Sequence, residues 1–161
     1  MIVVPWVGGL VLAARDGVLE AGRWLLGPTW LVGYLCFNAA TLMTKAAAVR
    51  RSRYRTPLLA YGILAAGLGL VAMLLGGVGI LWWAPVGMAL VTLTLRATAH
   101  KRERALLTGL LSVIGGTGVG VVTRYWTPME LLDGDTGTWF VLGLTMAYFA
   151  GTVFTVKTMI R

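Results

Sequence analysis

The sequence predicts an all-α fold, a polytopic transmembrane helical bundle of about six spans with a short first span and both ends cytoplasmic. Composition, the spacing of apolar stretches and the sidedness of charge each point there. Of the 161 residues, 58% are hydrophobic and 12% are charged, with a mean hydropathy of +0.81. Soluble domains carry roughly 45–50% apolar and about 25% charged residues, so this chain has too little charge to cover a water-soluble globule. Apolar content this high also excludes a disordered chain. A single cysteine excludes an internal disulfide framework and a thiolate zinc site.

A helix needs about 20 apolar residues to cross the hydrocarbon layer. Six apolar stretches are expected to serve, at Met1–Ala14, Trp24–Ala48, Pro57–Gly77, Gly79–Leu95, Ala105–Val122 and Trp139–Ile160. The first is only 14 residues long, too short to cross. It lacks the basic n-region of a signal peptide. The breaks between stretches are chemical: Arg15-Asp16-Gly17, the basic run Arg50 to Arg55, Gly76-Gly77, the run His100 to Arg104, and Thr127-Pro128 onward. With no other boundary in view, residues 1–161 read as one transmembrane helical domain.

If the stretches alternate, the charges separate. One side holds Lys45, Arg50, Arg51, Arg53, Arg55, Arg96, Lys101, Arg102, Arg104, Lys157 and Arg161, which are 11 of the 14 basic residues, with Glu103 as its one acid. The other side holds Arg15, Arg23 and Arg124 with Asp16, Glu20, Glu130, Asp133 and Asp135. Basic loops stay on the cytoplasmic side, so both chain ends are expected there. This sidedness accounts for the net charge of +8, and no nucleic-acid partner is expected. Trp24, Trp30, Trp82, Trp83, Trp126 and Trp139 fall near the outer ends of spans, where an amphipathic indole sits at headgroup level, and Trp6 lies within a span.

Small residues at helical spacing mark packing faces. Span three offers Gly62, Ala65, Ala66 and Gly69; span five offers Gly109, Ser112, Gly116 and Gly120, the last two forming a G-x-x-x-G. The Gly116/Gly120 face suits a helix of the same chain or of a second copy. The run Gly115 to Gly120 does not match a phosphate-binding loop, and packing is the better reading. Pro57 and Pro85 are expected in first turns, where a missing N–H costs little.

Few residues carry chemistry. Asn38, in mid-span, is expected to bond across to a neighbouring helix. Cys36 in apolar surroundings is expected to be inert. His100 has no second histidine or carboxylate cluster beside it, and Asp133 and Asp135 flank a turn glycine, so no metal site is expected. Lys45 lies about 31 Å along a helix from Trp24, and Lys157 about 27 Å from Trp139, which brings both to the inner interface. Arg161 follows Lys157 at i+4. Together with Arg104 these residues would form a site for a phosphate or an anionic lipid headgroup. The competing reading is snorkelling lysines and topology-setting arginines.

The closing segment Tyr148-Phe149-Ala150-Gly151-Thr152-Val153-Phe154-Thr155-Val156-Lys157-Thr158-Met159-Ile160-Arg161 resembles the last helix of the YwiC-like family of bacterial integral membrane proteins. Arg102-Glu103-Arg104-Ala105-Leu106-Leu107 and the Pro57–Gly62 run are similar to that family as well. The resemblance implies a multi-pass protein of the bacterial inner membrane and brings no reaction with it. It also implies a Gln-His-Gly-Ala-Trp type motif before the first span and further helices after the last. This sequence, opening Met1-Ile2-Val3-Val4-Pro5 and closing at Arg161, is therefore expected to be a fragment, or a reading frame begun at an internal methionine, that lacks the family's histidine. Intramembrane prenyltransferases hold magnesium on D-x-x-x-D motifs, and none occurs here. No cofactor is expected. The lipid bilayer is the expected partner, with an anionic lipid, a second copy or a partner protein as further candidates. The function expected is an integral membrane protein binding an anion at a basic cytoplasmic face; the alternatives are a transporter subunit or a structural partner in a membrane complex. The residues do not decide whether it is an enzyme.

Overall fold

The computed structural model describes residues 2–99 and 106–159. Among these, six α-helices follow in order: α1 (Val3–Arg15), α2 (Ala21–Lys45), α3 (Ser52–Gly76), α4 (Ala84–Ala99), α5 (Leu106–Arg124) and α6 (Thr136–Met159). Short 3-10 turns at Ala48–Arg50, Val78–Trp83 and Met129–Leu131 join them. Four stretches are long and apolar enough to cross a membrane: Ala21–Lys45, Ser52–Gly76, Val78–Ala97 and Thr136–Thr155. This is an all-α membrane bundle.

Element boundaries differ from the sequence expectation where a polar residue can still enter a helix. α2 begins at Ala21 and takes Arg23 into its first turn, and it ends at Lys45 because Ala46 turns extended. α3 begins at Ser52, so Pro57 is its sixth residue and not its first. Pro57 therefore removes one internal helical hydrogen bond, a cost absent at a first turn. Pro85 does lie in the first turn of α4. Six residues at Val78–Trp83 wind as a 3-10 turn before α4 begins.

Hydrogen bonds fix the directions of the helices. Arg23, at the start of α2, bonds the last carbonyls of α5, and Asp16, just past α1, pairs with Arg124 at the end of α5. Arg15 reaches Asp135 and Thr138 at the start of α6. Trp126 donates to Gly77 beyond α3, and Trp83 before α4 donates to Tyr125. The ends of α1, α3 and α5 thus meet the starts of α2, α4 and α6 at one pole. The helices alternate in direction, and this pole carries Arg15, Asp16, Arg23, Arg124, Glu130 and Asp135. The opposite pole carries Lys45 and the arginines of the α2–α3 connection.

Helices α2 and α3 form the most extensive pair, α1 packs along α5, and α6 leans on α5 and touches α1. The 13 residues of α1 span about 20 Å. Pro5 and Gly9 lie against Gly120, and Trp6 lies against Gly27, so α1 flanks only the mixed-charge half of the bundle. The core follows: Leu26, Ala72, Val122 and Trp126 are buried together, with Trp6, Leu25, Trp30, Ile80 and Trp83 against them. All of them lie towards that pole.

Candidate functional site

At the mixed-charge pole, α1 ends on Arg15, and Gly17 adopts φ +70, which lets the chain reverse while Val18 N–H bonds back to the Ala13 carbonyl. The reversal presents Asp16 outward to two arginines. Arg15 Nε donates to its Oδ1 at 2.7 Å, and Arg124 donates Nε to Oδ2 at 2.6 Å. Arg124 Nη2 lies equally close to Oδ2. Hydrogen bonding from Arg15, with Arg124 adding to it, holds the Asp16 carboxyl below its ordinary value.

Arg15 extends the chain of charge. Its Nη2 donates to both oxygens of Asp135 at 3.2 Å and to Thr138 Oγ1 at 3.1 Å. Asp135 precedes α6 and accepts the Thr138 backbone N–H at 3.1 Å, an N-cap that satisfies a donor with no intrahelical partner. The Thr138 hydroxyl also donates to Asp135. Hydrogen bonds from the Thr138 hydroxyl and then its N–H hold the Asp135 carboxyl low, with Arg15 contributing.

Arg23 is the buried member, 3% exposed. Its Nη1 donates to the carbonyls of Thr123 at 2.7 Å and Arg124 at 2.5 Å, the last of α5. A cation there answers carbonyls that the helix cannot satisfy itself and the negative end of its dipole. Beyond α5, Glu130 accepts the N–H groups of Trp126 and Thr127, each at 3.1 Å, and fixes the turn. That turn aims the Trp126 indole at the Gly77 carbonyl, 2.9 Å away. A Cβ at Gly76 would stand 2.6 Å from the same ring.

Each charge here is answered by another or by a helix end. The arrangement braces α1, α5 and α6 and seals α5; it sets no nucleophile beside a base. Among the described residues no three or more His, Cys, Asp or Glu gather as a metal site.

The residues singled out from sequence fall elsewhere. Lys45 is the exposed last residue of α2, and Lys157 lies two residues before the end of α6. Arg104, Arg161 and His100 lie outside the described residues. Helices α2 and α6 are not among the closely packed pairs; both pack on α1 and α5. Gly120 lies under Pro5, where an added Cβ would stand 2.5 Å from its carbonyl oxygen. Gly62 and Gly69 lie at ordinary contact distance, 3.7 Å, from Cys36 and Thr29 of α2. Gly116 is half-buried and Ser112 exposed on α5.

The ion network escaped the sequence reading, although one signal pointed to it. Arg15, Arg23 and Arg124 are the basic residues on the acid-rich side, and each lies beside a helix end. The tryptophans also divide. Trp24, Trp82 and Trp139 are exposed as interfacial residues would be. Trp6, Trp30, Trp83 and Trp126 instead donate their indole N–H to the carbonyls of Arg23, Gly115, Tyr125 and Gly77.

The helical fold and its apolar surfaces define an integral membrane protein. Within that class, the chain belongs to the YwiC-like protein family, whose pattern matches residues 1–124. The matched region runs to the last residue of α5, and the closing segment from Tyr148, which first suggested the family, lies beyond it. No curated protein and no solved structure matches the chain.

Proposed function

We propose that this YwiC-like protein is a multi-pass protein of the bacterial inner membrane that binds an anionic phospholipid headgroup at its cytoplasmic, basic pole. The observation that carries the reading is the α2–α3 connection. Its short turn lifts Val49 to 91% exposure, and Lys45, Arg50, Arg51, Arg53 and Arg55 are exposed around it. From Ala21 to Arg102 the sequence has no acidic residue. Among the described residues no carboxylate pairs with Arg50, Arg53 or Arg55. An apolar tip ringed by guanidinium groups at a span end suits the headgroup layer, where phosphates are the available counter-charge. On this reading Lys45 acts with Arg104, Lys157 and Arg161, the further cations that the charge pattern of the sequence assigns to the cytoplasmic side.

Native mass spectrometry of the purified protein with phosphatidylglycerol and phosphatidylcholine tests it. Retention of phosphatidylglycerol is expected, falling by about 1 kcal/mol for each arginine when Arg50, Arg53 and Arg55 are changed to Gln. Equal retention of both lipids refutes the reading. Displacement by millimolar inorganic phosphate with no lipid preference assigns the pole to a free anion instead. Sidedness is checked in a Cys36→Ser background, where an impermeant thiol reagent should label Asp133→Cys and not Ser52→Cys in intact cells.

A further inference from the structure

Helix α2 carries a line of exposed residues along one side. Leu31, Leu35, Asn38, Leu42 and Lys45 repeat at intervals of four, three, four and three residues and are all exposed. Their leucines are between 37% and 47% exposed. That repeat keeps side chains on one line of a helix wound against a partner, with a and d positions facing it. At its centre stands Asn38, the only Asn or Gln in the sequence. Its carboxamide has no hydrogen-bond partner among the described residues.

Depth makes this matter. Asn38 lies 14 residues beyond Trp24 and seven before Lys45, about 21 Å and about 10 Å along the helix, and so within the hydrocarbon layer. Lipid tails offer it neither donor nor acceptor. Other polar groups on lipid-facing surfaces solve the problem locally. Thr145, half-buried, and Thr152, exposed on α6, donate to the carbonyls of Val141 and Phe149 one turn back. A carboxamide at the middle of an exposed apolar seam instead requires a second helix.

We propose that this helix is a second copy of α2, so that the protein dimerises through a parallel α2–α2 seam with the two Asn38 carboxamides hydrogen-bonded across the twofold axis. A carboxamide is donor and acceptor at once, so it is its own complement at a twofold axis, as an isologous contact requires. Leu31, Leu35 and Leu42 pack above and below it. Lys45 closes the seam at headgroup level, where its charge stays in water. The Gly120 face that sequence offered for such a contact is already occupied by α1.

Cys36 faces α3, with Sγ 3.7 Å from the Leu58 carbonyl, so it is first changed to Ser. Single cysteines are then placed at Leu35 and Leu42, and at Ile63 on the exposed face of α3, and oxidised in native membranes. Leu35→Cys and Leu42→Cys should give a disulfide-linked species of twice 17.2 kDa, and Ile63→Cys should not. Asn38→Leu, which removes no side-chain hydrogen bond among the described residues, should weaken dimerisation about 3- to 30-fold, while Asn38→Gln retains it. Crosslinking at Ile63 equal to that on the seam overturns the proposal, as does an Asn38→Leu protein that dimerises as well as its parent. Crosslinking of the seam to a different protein also overturns it, by giving the surface to a heteromeric contact.

Discussion

The two poles of this bundle are built on opposite principles. At the mixed-charge pole six helix ends are tied by indole, guanidinium and carboxylate contacts above a buried core of Leu26, Ala72, Val122 and Trp126. At the basic pole the α2–α3 connection is exposed, and Arg50, Arg53 and Arg55 have no carboxylate partner among the described residues. The cause is partly one of length. With α1 about 20 Å long and set against Gly120 and Gly27, it adds packing to the mixed-charge half only. The buried cluster therefore lies beside the paired charges, and the described arginines without a carboxylate lie at the other pole. Elements that bind or move are drawn from the less stable parts of a fold.

The strongest way to break the contrast is at the α1–α5 crossing. Gly120→Leu would drive a side chain into the Pro5 backbone, where an added Cβ already falls 2.5 Å from a carbonyl oxygen. Backbone cannot swing aside as a side chain can, so the loss should reach about 3 kcal/mol, the upper range for overpacking. Gly67→Leu on α3, where an added Cβ meets nothing within 4 Å, should stay within about 0.5 kcal/mol. Unfolding followed by tryptophan fluorescence in mixed micelles measures both. Equal losses would mean that the packed half is not where stability lies.

Next in size is the ion network. Arg124→Gln leaves Asp16 with Arg15 alone and removes the link from α1 to α5. The pair is neither fully exposed nor dry, so the expected loss is about 2 kcal/mol, between values for surface and buried pairs. Arg53→Gln at the other pole should change stability by less than about 0.5 kcal/mol. A loss at Arg53 as large as that at Arg124 would erase the distinction between the poles.

How much of this was legible beforehand depends on whether the signal is periodic. Apolar stretches and charge sidedness are periodic or summed properties, and they gave six helices and their alternation. The ion network rests on pairs 108 and 120 residues apart in sequence, Asp16 with Arg124 and Arg15 with Asp135. No local pattern encodes which of five acids meets which of three arginines. The boundaries of α2 shifted for a related reason: Arg23 enters the helix because distant carbonyls of α5 receive it. Gly9 and Gly27 carry no local signal either, because Gly120 and Trp6, the groups set against them, are distant in sequence.

Tryptophan gives the next smaller effect and refines the same point. Trp126→Phe keeps most of the buried ring and deletes the N–H that reaches Gly77 at 2.9 Å. About 1 kcal/mol should be lost, the net worth of one hydrogen bond whose acceptor is left behind. Trp82→Phe, on an exposed indole, should lose less in the same assay. If both lose equally, Trp126 acts by bulk alone, and the indole bond is not what holds α3 to the end of α5.

Acid should act on the mixed-charge pole, and weakly. Asp16 is held below its ordinary value by hydrogen bonds from Arg15 and then Arg124, and Asp135 by those from Thr138 and then Arg15. A carboxyl whose value is depressed by folding contributes stability above its unfolded value, about 3.9, and loses it as pH falls through the lower folded value. The unfolding midpoint should therefore be level from pH 8 to about 5 and decline below about pH 4. The informative quantity is the difference between the parent and Asp16→Asn. That variant should start lower at neutral pH and decline less, the two curves converging in acid. Curves that stay parallel at every pH would remove Asp16 from the network and leave Arg23 and the indoles to hold the pole without it.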